Sequence, residues 1–321
     1  MMLSRVAERV YWMARYLERT ENTARLINVY SSMLLDLPGR MEINWYTLIR
    51  LFNADQAFRE RYGRVTEENI MRFLIADRDN PASVVSSLLN VRENVRTSLD
   101  LLPDEIWQQV NQAHIQMNAA LDLIDKRHDR QNVLRAMQQA GQCIRGTLDS
   151  HMSRDNTFDF MQIGRHLERA DMTSRILEMA SMLLSEQRSD NMRKYEGVLW
   201  TNLLQSLSAR QMYVRHIHAR VDGARVLNFL LTDKVFPGSI GYSLAAMARR
   251  MQYLPDPELP MTMAQRIFEH LGAQDLSTIP ANQVHPLMDY LQSELGQLHG
   301  EIAKTWFYPD YDAHPAPQAQ G

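Results

Sequence analysis

No proline falls between Pro103 and Pro237, and Gly63 is the only glycine between Gly39 and Gly141. Sheet proteins need turn residues at short, regular intervals. A stretch this long without breakers leaves long helices as the outcome. The whole chain holds 13 Gly and 12 Pro in 321 residues, about 8% where average usage is roughly 12%. Its Leu, Met, Arg, Glu, Gln and Ala are strong helix formers. The predicted fold class is all-α, a bundle of long helices.

The apolar residues recur at helical spacing. Over 4–35, Val6, Val10, Met13, Leu17, Ala24 and Ile27 follow one another at steps of three, four and seven. Ser4 is the expected N-cap and Pro38-Gly39 the expected stop. The same pattern predicts helices over 42–60, 66–76, 82–101, 104–126, 130–153 and 157–187, then 190–220, 223–232, 239–253, 260–272 and 281–305. Asp155, Asn156 and Thr157 make the break before the 157 helix. Residues 306–321, with three prolines and little to bury, are expected to form a flexible C-terminal tail.

Two halves of the chain resemble each other. Arg15, Leu17, Glu18, Arg19, Thr23 and Arg25 recur at Arg165, Leu167, Glu168, Arg169, Thr173 and Arg175, and Glu21 becomes Asp171. Further on, Phe73-Leu-Ile-Ala-Asp-Arg-Asp-Asn-Pro-Ala-Ser-Val84 pairs with Phe229-Leu-Leu-Thr-Asp-Lys-Val-Phe-Pro-Gly-Ser-Ile240. Trp45 and Trp200 fit between the two matches. These matches predict one helical domain over 1–305, built from halves of about 1–150 and 151–305 that pack about an internal pseudo-two-fold axis, with two separable domains as the alternative.

Composition removes several function classes. Thirty-five basic and 38 acidic residues give a net charge of −3, so no basic footprint for nucleic acid is expected. The longest apolar runs, such as Val226–Thr232, fall far short of the roughly 18 residues of a membrane span. Arg5, Glu8, Arg9 and Arg15 interrupt any signal-peptide core. The single cysteine, Cys143, forbids an internal disulfide and suits a reducing cytoplasm, where the protein is expected to reside. Lying among Ala140, Ile144 and Leu148, Cys143 is expected to be buried. HExxH, CxxC, GxGxxG and Walker-type patterns are absent, so no metal or cofactor is expected. His216 and His218, two apart on a helix, point in different directions.

The Glu-Arg repeat carries the chemistry. On a helix, Glu18, Glu21 and Arg25 share one face, with Arg15 and Arg19 flanking Glu18. Arg165, Glu168, Arg169, Asp171 and Arg175 repeat the set. If the two helices face each other, each Arg can take a bidentate carboxylate partner from the opposite one. Three uses stay open: ion pairs that cement the halves, a pocket for an anionic or zwitterionic ligand, and a charged docking face. The second repeated block is read mainly as capping. Asp77 and Asp233 each precede a proline by four residues, and Ser83 and Ser239 suit early helix positions. A pocket shared with the Glu-Arg face is the functional alternative. A metal on Asp77 and Asp79 is disfavoured because Val235 replaces the second acid in the repeat. Arg92, Glu93 and Arg96 read as a solvated helix face.

The segments LSRVAERVYWMARYLERTENTARL, IGRHLERADMTSRIL and DRDNPASVVSSLLNVRENVR together resemble the bacterial alpha-E family, over about residues 1–305. The resemblance implies an all-helical domain and maps motif residues onto Glu18, Arg19, Glu168 and Arg169, with Asp77, Asn80, Pro81 and Ser83 in the second block. Phe236 departs from the pattern where the first half has Asn80, and Arg249-Arg250 stand where it has Glu93-Asn94. The implied partners are a circularly permuted ATP-grasp-like protein and a transglutaminase-like peptidase. That company implies an accessory or substrate-binding role in making or trimming peptide or amide bonds. The alternatives are an enzyme with Glu18 or Glu168 as a general base of raised pKa, or a plain helical scaffold.

Overall fold

The computed structural model describes residues 4–36, 44–186, 192–274, 276 and 281–308. Among them every regular element is helical, as the scarcity of breakers predicts. In chain order the first half has α1 (Ser4–Asp36), α2 (Tyr46–Leu51), α3 (Asp55–Arg61), α4 (Glu67–Met71), α5 (Val84–Arg96), α6 (Asp104–Ala119) and α7 (Arg127–His151). The second has α8 (Asn156–Glu186), α9 (Met192–Ser206), α10 (Arg210–Ile217), α11 (Gly223–Thr232), α12 (Ile240–Met251), α13 (Glu258–Ala273) and α14 (Ala281–Ile302).

The starts are chemically explicit. Asp155 accepts from the Thr157 and Phe158 amides and opens α8. The hydroxyls of Ser83 and Ser239 accept from the Ser86 and Tyr242 amides and cap α5 and α12. Ser4 is the first helical residue of α1. The Pro38-Gly39 stop lies outside the described residues, as does the tail from 309.

Two long predicted helices are broken instead. The 42–60 segment splits into α2 and α3 at Asn53 (φ 50°), and 190–220 splits into α9 and α10 at Ser208 (φ 52°). Single residues in the left-handed region end helices without Gly or Pro, so the breaks leave little trace in composition. The 82–101 helix stops at Arg96 and continues as a short 3-10 turn over Leu99–Leu101. At the other end the folded body runs past 305: Trp306 and Phe307 are buried, and Trp306 Nε1 donates to the Pro255 carbonyl at 2.7 Å. They are core, not the start of a tail.

Helices α1 and α8 are the axis of the molecule and pack against each other more extensively than any other pair. Around α1 a ring closes through α5, α6 and α7; around α8 another closes through α12, α13 and α14. Short helices cross over, α9 lying on α1 and α2 on α8. One buried apolar cluster runs through both halves. Enclosed on nearly all sides, α1 and α8 have to bury polar residues too: Thr20, Asn22, Thr23, His166, Thr173 and Ser174 are all buried. Gly164 sets their spacing, because a Cβ there would lie 2.4 Å from the Tyr11 carbonyl oxygen. Cys143, expected inside, is exposed. The inner stripe of α7 is Met137, Gly141, Ile144 and Leu148, and a residue next to Ile144 is turned about 100° away from it.

Candidate functional site

The close approach at Gly164 brings the two Glu-Arg stripes face to face. Arg19 donates to Glu168 with Nε at 2.5 Å and Nη2 at 3.0 Å. Arg169 donates to Glu18 with Nε at 2.7 Å and Nη2 at 2.9 Å. Each half thus supplies the bidentate guanidinium for the other half's carboxylate. Both carboxylates are buried. Burial alone would raise their pKa. For Glu18 it is overridden by Arg169, then Arg145 and Arg165, which hold the carboxyl far below its ordinary range. For Glu168 the Arg19 and Arg15 charges win, and the value falls to about 2.

The two centres then diverge. Arg15 adds a third contact to Glu168, Nε to Oε2 at 2.8 Å. Its counterpart Arg165 does not reach Glu18 but donates to Asp149 and Gln162. On Glu18 the corresponding position is taken by Arg145 of α7, at 3.3 Å from Oε2 and 2.9 Å from Glu21. Arg25 and Arg175 pair within their own helices, with Glu21 and Asp171. So Arg19 and Arg169 form the expected cross-helix forks, Arg15 makes a single contact, and Arg165, Arg25 and Arg175 pair elsewhere.

Around Glu168 the walls are aromatic. The Arg15 guanidinium lies 4.8 Å from the Trp12 ring centroid, and Tyr11 Oη is 2.8 Å from His299 Nδ1. Burial drives the Tyr11 phenol up to about 12 and His299 down to about 4. Around Glu18 there is room. A cavity of about 340 Å³ is bordered by Glu18, Glu21, Asn22, Arg25, Arg145, Asp149, Arg165, Arg169 and Thr173, and on the far side by Leu207, Ser208 and the Phe236-Pro237-Gly238 loop. Arg145, Asp149 and this loop were not singled out by the motif. Arg145 and Asp149 sit one turn apart on α7, and nothing local says that this stripe meets α1.

The second block behaves as capping. Asp233 accepts from the Val235 and Phe236 amides, Asp77 accepts from the Asp79 amide, and the Ser83 and Ser239 hydroxyls donate back to the Asp77 and Asp233 carbonyls. Asn80 donates to Phe73 O and accepts from Ala82 N. None of the five lines the cavity, but the loop that Asp233 and Ser239 brace does. Arg61 sits across Asp77, 3.0 Å from Oδ1, the place a cation on that acid would need. His216 faces Asp233 at 3.3 Å, while His218 adopts a left-handed conformation at the end of α10. Arg96 and Arg92 both pair with half-buried Glu93. Glu178, His285 and Asp289 have ligand atoms within 4.8 Å of one another, but His285 already hydrogen-bonds Glu178 at 2.8 Å and is half exposed. No helix among the described residues is long and apolar enough to cross a membrane.

Fold and ion cluster define a helical domain knitted together by reciprocal Glu–Arg forks. Residues 2–307 match a family described as a predicted alpha-helical domain with a conserved ER motif, and the chain belongs to that family, Alpha-E. No curated protein and no solved structure matches the chain.

Proposed function

We propose that this chain is an accessory, ligand-binding subunit, and that the cavity beside Glu18 receives an anionic group of a peptide or small molecule. The cavity itself carries the proposal. At about 340 Å³ it is at the small end of ligand sites, and four arginines and three carboxylates line it. With no nucleotide loop of its own, the chain would leave ATP chemistry to a circularly permuted ATP-grasp-like partner. A transglutaminase-like peptidase would act in the same system. The matched rings around α1 and α8 and the reciprocal forks support a duplicated body with a pseudo-two-fold axis. In such a body the Glu18 centre borders an open cavity, while the Glu168 carboxylate is held by Arg15 and Arg19.

A general-base role for Glu18 or Glu168 loses its premise. Both carboxyls are pulled down, not raised, and a carboxylate clamped by guanidinium groups is a poor proton acceptor. A structural role is favoured for the Glu168 centre, whose carboxylate is enclosed by Arg15 and Arg19. The test is coexpression with the ATP-grasp-like protein and size-exclusion chromatography at low and moderate salt. Co-elution is expected; separate elution at both salt concentrations would remove the accessory role.

A further inference from the structure

The carboxylates bordering the cavity are already engaged. Glu18 accepts from Arg169 and Asn22, Glu21 accepts from Arg25, and Arg145 reaches both. Asp149 accepts from Arg165 and Gln162. An incoming ammonium would share these carboxylates with guanidinium groups that already neutralise them. The donor side differs. Each guanidinium carries five N–H groups. Among the described residues, Arg145 spends only Nη1 and Nη2 on its partners, which leaves its Nε uncommitted. Four guanidinium groups against three carboxylates leave one uncompensated positive charge, enough for a single negative charge.

Part of the lining is apolar, formed by Leu207, Phe236 and Pro237. Where the first half has Asn80 bonding its own loop, Phe236 stacks on Phe229 with ring centroids 5.1 Å apart. Gly238 makes this possible, since a Cβ there would lie 2.5 Å from the Phe236 ring. The loop is fastened to α8 by Arg169, which donates to the Pro237 carbonyl, and by Thr173, which donates to that of Gly238, each at 3.3 Å. The side chain that clamps Glu18 therefore also holds the apolar wall.

Resting on the anion-binding role proposed above, we infer that the ligand is a monocarboxylate with a blocked amine and an apolar flank: the C-terminal end of a peptide, not a free amino acid or a phosphate. Calorimetric titration of the full chain with N-acetyl-Ala-Leu, its C-terminal amide, free leucine and inorganic phosphate tests this. The acetylated acid should bind about tenfold or more tightly than each of the other three, because losing the charge, adding an unpaired ammonium or doubling the charge each leaves groups uncompensated. Arg145→Gln should weaken the acid by a similar factor; because Arg145 also neutralises buried Glu18 and Glu21, the titration is run below the variant's own thermal midpoint, and Arg145→Lys, which keeps the charge, should retain part of the affinity. Equal binding of leucine or phosphate, or unchanged binding by Arg145→Gln, overturns this assignment and leaves a general anion pocket standing; equal binding of the neutral amide overturns the anion pocket as well. Absence of binding by all four probes removes both.

Discussion

Replacing Gly164 with alanine tests the spacing on which the ion cluster depends. The added Cβ would sit 2.4 Å from the Tyr11 carbonyl oxygen and 3.1 Å from the carbonyl carbon, where ordinary contact begins at 3.4 Å. These two atoms belong to the backbone of a central helix and cannot swing aside, and the buried Tyr11 ring adds a third contact at 3.1 Å. Relief requires α1 and α8 to part locally by about 1 Å, the difference between 3.4 and 2.4 Å. Gly164 is one turn before Glu168, whose bonds to Arg19 at 2.5 and 3.0 Å would be stretched toward or past hydrogen-bonding range. Overpacking of this kind costs about 1–3 kcal/mol. Weakened charge-assisted bonds add about 1–2 kcal/mol, and the better helix propensity of alanine returns about 1 kcal/mol. The expected net loss is about 1–4 kcal/mol, read as a lower midpoint in urea with an unchanged slope. Gly146→Ala is the internal control, because no atom lies within 4 Å of its Cβ position. It should be neutral or stabilising by up to about 1 kcal/mol. If the two variants shift the midpoint alike, the close approach does not set the helix spacing.

Acid should unfold the protein through its buried carboxyls. Glu168 is lowered from 4.5 to about 2, so its contribution is complete above the unfolded value and is lost as pH falls from about 4.5 through about 2. That drop corresponds to roughly 3 kcal/mol, and Glu18 acts in the same direction. Urea midpoints of wild type and Glu168→Gln between pH 5 and pH 2 should converge; parallel curves would count against an ionised Glu168. Cys143 is exposed and is the chain's one cysteine, so a thiol reagent should label it stoichiometrically without denaturant. Protection in the native protein would restore the buried position that its apolar neighbours suggest.

Most of the helices were legible because they are made by local means. Breaker scarcity, apolar spacing and the caps at Asp155, Ser83 and Ser239 all act within a few residues. The breaks at Asn53 and Ser208 escaped because one left-handed residue ends a helix without a compositional mark. The mutual engagement of Glu18 with Arg169 and of Glu168 with Arg19 was legible from the repeat. What the repeat could not carry was the difference between the centres. That difference comes from Arg145 and Asp149 on a neighbouring helix, and from a loop in which Phe236 stands where the first half has Asn80. Sequence spacing gives the faces of one helix; which third helix meets a face is a property of the packed whole.

The crossed forks have a consequence for how this chain can change. Each half holds the counter-ion of the other, so neither is electrically complete when severed. A substitution at Glu18 strands a guanidinium 151 positions away, and one at Glu168 strands two. Loss of charge on one side is therefore compensated only by a matching loss on the other, and a double substitution such as Glu18→Gln with Arg169→Gln should be less damaging than either change alone.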